Sequence, residues 1–153
     1  MATYIKPTLT ITSNKNSATT NKGPLSIGLS LSASASLNVD DVRSRIVAVN
    51  QTEATLLDGD LISGGDGLAD AVGGYLYLKN ISPASTTNYI AVGIIADNGS
   101  AADLTASGDV ARVMTLMPGE FAFFPYDLTM DITVDSNQND GTQKIEYWYF
   151  DRA

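Results

Sequence analysis

Carboxylates are the side chains in this sequence best suited to chemistry. Glu120, Asp127, Asp131 and Asp135 fall close together beside Phe121, Phe123, Phe124 and Tyr126, and glycosidases set two carboxylates across a sugar. A second acidic group, Asp58, Asp60, Asp66 and Asp70, lies in the glycine-rich stretch "DGDLISGGDGLADAVGG" at 58–74. Hard oxygen ligands on flexible backbone are what calcium takes. The spacing weakens the calcium assignment. In an EF-hand register the position two after Asp60 is Ile62, and no Glu closes the loop. "GGDGLAD" approaches the calcium nonapeptide of parallel β-helices, but its aspartate comes one residue late and the unit occurs once where stacks are needed. We read 58–74 as a solvated surface loop, or as a segment ordered by a neighbouring subunit, and assign neither metal nor cofactor. Acidic residues between short strands serve more often as charges that keep strand edges apart. A chain of 153 residues also leaves little material for a deep cleft. The expectation is a non-enzyme.

Composition removes other chemistries. There is no Cys and no His, so thiolate or imidazole metal sites, Cys-His dyads and Ser-His-Asp triads cannot form within this chain. With 17 acidic and 9 basic residues the formal charge is −8, and the densest basic feature is the pair Arg43 and Arg45. A nucleic-acid binder draws affinity from clustered cations, so none is expected as partner. "MATYIKPTLTITS" lacks the charged and continuously apolar regions of a secretory signal. No apolar run approaches the ~18 residues of a membrane span. The expectation is a chain made in the cytosol, with no membrane partner.

The elements that position these residues are strands. Alternation of side chains marks "TLTITS", "RSRIVAVN" (43–50) and "KIEYWYF" (144–150); "YLYLKNI" (75–81), "NYIAVGIIA" (88–96) and "VARVMTL" (110–116) are rich in β-branched or aromatic residues, and "FAFFP" (121–125) and "MDITV" (130–134) follow. That period of two, with Gly, Pro, Asn and Ser clusters between runs, marks half-buried strands. "MPGE" (117–120) places Pro118 and Gly119 at the central positions of a type II turn. Residues 13–24 are polar and without period, a loop or arm. Eight to ten short strands and no βαβ alternation argue one all-β domain over 1–153, an antiparallel β-sandwich, jelly-roll-like.

One segment is unusual. "PLSIGLSLSASASLNV" (24–39) alternates apolar and small residues from Leu25 through Leu37, about 44 Å at ~3.4 Å per residue. That exceeds a common strand, so we expect it to divide. Leu25 to Leu31 would pack the core with a bend at Gly28, and Ala33 to Leu37 would cross to the other sheet or reach a neighbour. Ser32, Ser34 and Ser36, small and uncharged, would let another backbone approach closely and are candidate interface residues.

Residues 74–151, "YLYLKN…YIAVGII…ARVMTLMPGEFAFFPYDLTMDITVDSN…KIEYWYF", resemble small all-β virion proteins of tailed bacteriophages, in which a "(L/M)xPGE" turn leads into "FxFFP" and an aromatic C-terminal strand. The resemblance implies a structural subunit of a virion, assembled in the bacterial cytoplasm. It would decorate or cement the head by binding the major capsid protein or other virion proteins, as a homo-oligomer with a trimer favoured. A carbohydrate-binding fibre module and a tail or connector subunit are the alternatives.

Aromatic residues supply the candidate contacts. Phe121 and Phe123, or whichever face of 121–125 points inward, are expected in the core. In "KIEYWYF", Ile145, Tyr147 and Tyr149 share one face and Glu146, Trp148 and Phe150 the other, so both faces are occupied. Tyr126, Trp148 and Tyr149 are candidate interface residues, since Trp and Tyr bring large contact area at low entropy cost.

Overall fold

A computed structural model describes residues 3–12, 28–32, 37–58, 73–96, 104–105, 111–126 and 130–152. Among these the chain is all β, with eleven strands: β1 Thr3–Ile5, β2 Thr8–Thr12, β3 Gly28–Ser32, β4 Leu37–Val49, β5 Ala54–Leu57, β6 Gly74–Asn80, β7 Ile90–Ala96, β8 Arg112–Leu116, β9 Phe121–Tyr126, β10 Met130–Ser136 and β11 Gln143–Arg152. Where the sequence suggests one domain, the chain divides into two compact units, Met1–Val39 and Asp40–Ala153. The loop at 13–24, Ser34 and Ser36 lie outside the described residues, as does most of 58–74.

In the first unit β2 and β3 form an antiparallel pair, Thr8 opposite Ser32 and Thr12 opposite Gly28. β1 pairs with the first residues of β4, Thr3 opposite Val39 and Ile5 opposite Leu37. The alternating stretch at 24–39 thus contributes to two strands: β3 ends at Ser32 and β4 begins at Leu37. Residues 24–27 and 33–36, and with them the expected crossing after Ser32, lie outside the described residues. The longest strand is instead the 13-residue β4, which joins the end of that stretch to the run at 43–50.

The second unit is a jelly-roll sandwich of two four-stranded antiparallel sheets, ordered β4–β11–β6–β9 and β5–β10–β7–β8. The pairs β4·β11, β5·β10, β6·β9 and β7·β8 nest first with last, as in a long antiparallel ribbon rolled up on itself, and β11·β6 and β10·β7 close the roll. Alternation along each strand sends Leu76 and Leu78 of β6, Ile145 and Tyr149 of β11, Ile90 and Val92 of β7, and Ile132 and Val134 of β10 into one core between the sheets. Each of these wholly buried aliphatic side chains contributes about 1.5–3 kcal/mol.

β5 was not legible as a strand, and its geometry explains why. Ile132 faces Leu57 but Thr133 faces Thr55, so Leu56 is an extra residue, a β-bulge. The bulge lets Leu56 and Leu57 both turn inward and erases the period of two. A second bulge in β8, where Val92 faces Met114 and Gly93 faces Arg112, turns Val113 outward at 51% exposure.

The chain passes between sheets at 117–120. The Glu120 amide donates to the Met117 carbonyl at 2.9 Å and Gly119 sits at φ 90°, the geometry expected for "MPGE". Asn80, buried at the end of β6, fastens this turn. Its Nδ2 donates to the Leu116 carbonyl at 2.7 Å and its Oδ1 accepts the Ser82 amide at 3.0 Å. Its backbone carbonyl accepts the Gly119 amide at 2.8 Å, and its own amide donates to the Glu120 carbonyl at 3.0 Å.

Candidate functional site

The outer faces of the two sheets differ. On the second sheet, Leu104 packs over Ala91 and Ile95 of β7. It lies so close to the strand that a Cβ on Gly93 would meet its Cδ2 at 2.5 Å. Asp131, Thr133 and Asp135 on the same side of β10 are buried. The outward positions of β6, β9 and β11 in the first sheet are instead rich in aromatic residues.

Strand register builds that face. Inward Leu76 and Leu78 force Tyr75, Tyr77 and Lys79 outward; inward Ile145, Tyr147 and Tyr149 do the same for Glu146, Trp148 and Phe150. On β9 the inward residues are Ala122, Phe124 and Tyr126, which leaves Phe121 and Phe123 outside. This corrects the expectation that those two pack the core: "FAFFP" is apolar on both faces, and its larger pair faces out. Cα partners align across three strands as Trp148–Tyr77–Phe123, Phe150–Tyr75–Pro125 and Glu146–Lys79–Phe121. Pro125 costs no sheet hydrogen bond because β9 is an edge strand.

The rings touch. Tyr75 and Phe123 lie parallel within 7° at 6.0 Å between centroids, Phe123 meets Phe150 edge-on at 6.4 Å, Phe150 and Trp148 are near-parallel at 6.4 Å, and Tyr77 and Phe121 are 6.1 Å apart. Such pairs add about 0.5–1.5 kcal/mol each beyond area burial. Polar groups edge the array: the Arg152 guanidinium lies 4.8 Å over the Tyr75 ring, and the Trp148 indole N–H donates to Glu146 Oε1 at 3.3 Å. Partial burial, and then the Glu146 charge, raise the Tyr77 phenol above its ordinary value. Phe121 remains 56% exposed and Trp148 39%. On β4, Val42 and Ile46 are also large exposed hydrophobics.

Of the candidate interface aromatics, Trp148 stands in this face. Tyr126 and Tyr149 are placed in the core, edge to face at 6.1 Å, with their hydroxyls donating to the Met130 carbonyl and to Asp151 Oδ1. Ser32 pairs with Thr8 through the backbone register. Asp58 follows β5 half-buried, while Asp60, Asp66 and Asp70 lie outside the described residues. Among the described residues no three potential ligands converge on a point. Glu120 accepts the Met117 amide on Oε2 at 2.7 Å. Asp131 and Asp135 sit four residues apart on one strand, about 13 Å at ~3.3 Å per residue, beyond the ~5–9.5 Å of a glycosidase pair. Asp127 lies outside the described residues. Among the described residues no helix is long and apolar enough to cross a membrane.

The fold and the face together define a jelly-roll domain with aromatic rings at the outward positions of one sheet. No family model matches the chain, and no curated protein matches it.

Proposed function

We propose that this protein is a non-enzymatic structural subunit of a bacteriophage virion, a decoration or cement subunit that docks on an assembled head through the outer face of its first sheet. The observation that carries this reading is the set of rings at the outward positions of β6, β9 and β11, Tyr75, Tyr77, Phe121, Phe123, Trp148 and Phe150, of which Phe121, Phe123 and Trp148 are exposed. An exposed apolar patch of this kind on a folded domain marks an interaction surface. The jelly roll is an architecture of capsid proteins and lectins, and the resemblance of residues 74–151 to phage virion proteins points to the first. A subunit that binds the assembled shell and not its dissociated parts stabilises the shell by mass action. Purified protein incubated with shells lacking it is expected to co-sediment with them and to raise their disruption temperature; neither effect at micromolar concentration would sink the proposal.

The second reading, a carbohydrate-binding fibre or tail module, draws on Trp148 with its Glu146 partner as a sugar platform. Glycan-array binding lost in Trp148→Ala, with no shell binding, would favour it.

A further inference from the structure

The outer face of the first sheet has a charge as well as rings. Lys79, Lys144 and Arg152 project on that side of β6 and β11, and Glu146 is the one carboxylate at the outward positions of β6, β9 and β11. On these three strands three cations and one anion give +2, in a chain whose total is −8. Glu146 is engaged by the Trp148 indole and Arg152 by the Tyr75 ring. Lys79 and Lys144 have no ion pair among the described residues. The cations flank the ring array: Lys144 precedes Trp148 on β11 and Arg152 follows Phe150.

This pattern selects among occupants. A second copy docking through these three strands would set Lys79, Lys144 and Arg152 against the same cations around an apolar centre, and like charges at an interface suppress pairing. A glycan stacks on free ring faces, whereas Tyr75 with Phe123 and Trp148 with Phe150 lie nearly parallel against each other. We infer that the face receives an apolar surface edged with carboxylates on a different protein, its centre seated on the rings and its acidic rim meeting Lys79 and Lys144. This deepens, and rests on, the proposal that the face is the docking surface.

The aromatic anion 1-anilinonaphthalene-8-sulfonate probes that chemistry on the intact chain. At low ionic strength the native protein should enhance its fluorescence, Lys79→Glu with Lys144→Glu should weaken it about tenfold, and Lys79→Gln with Lys144→Gln should fall between. All three proteins should share one circular-dichroism spectrum, because Lys79 and Lys144 stand at outward positions of the sheet and surface substitutions carry little stability. No enhancement, or an affinity indifferent to charge reversal, overturns the inference. The same proteins are then carried to purified shells. Shell binding undiminished by charge reversal overturns the inference and leaves the shell proposal standing. Dye behaviour as stated, with shells ignored by the native protein, supports the face chemistry and removes the shell proposal alone. Heparin oligosaccharides held more tightly than the dye through the same lysines, or a dimer in sedimentation abolished by Phe121→Ser, would reassign the face to a glycan or a second copy.

Discussion

Tyr149 shows what one buried hydroxyl does in this core. Burial chiefly, then the nearby Asp151 charge and the hydrogen bond between the two side chains, hold its phenol well above the usual tyrosine range. The unfolded chain releases that proton near the ordinary tyrosine value of about 10, while the folded chain keeps it. Stability from this group is therefore full below about pH 10 and declines as pH rises toward the folded value. Tyr149→Phe should flatten that alkaline decline while costing about 0.5–1.5 kcal/mol at neutral pH. Urea midpoints measured across the alkaline range check it, and an unchanged alkaline slope in the variant contradicts it. Gly74 poses a steric version of the same packing: an added Cβ would lie 2.4 Å from the Phe150 carbonyl oxygen and 2.6 Å from the Tyr149 ring. Gly74→Ala should cost about 1–3 kcal/mol in denaturant unfolding. At this scale the two faces of β11 were legible, because Ile145 and Glu146 label them. The burial of Tyr126 and Tyr149 was not, because a tyrosine suits an interior and an interface equally and only a partner such as Asp151 decides.

Elements differ in how plainly the sequence announces them. β6, β8, β9 and β11 fall where the sequence places them because one face is more buried than the other. β7 and β10, buried on both faces, do so because their runs are short and rich in β-branched residues. β5 escapes because its bulge turns adjacent leucines inward. β4 reads as two pieces, because its middle, "NVDDV", looks like a break to any rule based on apolar alternation. The turn at 117–120 was legible in "MPGE", but not its role of carrying the chain from one sheet to the other, nor its dependence on Asn80 from a distant strand. Asn80→Ala would leave the Leu116 carbonyl and the Ser82 amide without their partners at about 1–3 kcal/mol for each buried group. Gly119→Ala meets no neighbour within 4 Å but must hold φ at 90°, a penalty of about 1–2 kcal/mol. Thermal unfolding should therefore rank Asn80→Ala below Gly119→Ala, and a reversed order would show that Asn80 does not fasten the turn.

For the whole molecule, the nesting of β4·β11 around β7·β8 leaves each sheet one outer face. Leu104 occupies part of one, and the other is left to aromatic rings. Sequence alone could not separate these outcomes, since Phe121, Phe123, Tyr75 and Tyr77 would serve equally as core had their strands faced the other way. Only the pairing of Leu76 and Leu78 with Ile145 and Tyr149 inside assigns the rings to the outside. The central claim is that this ring layer is a docking surface and not a structural necessity. Its most direct measurement is shell co-sedimentation of the Phe121→Ser, Trp148→Ser double variant beside the native chain, with unfolding free energy measured in parallel. The account predicts a chain that still folds, less stable by about 1–3 kcal/mol for the two ring pairs removed, together with loss of shell binding. A variant that still binds shells as the native protein does would contradict it.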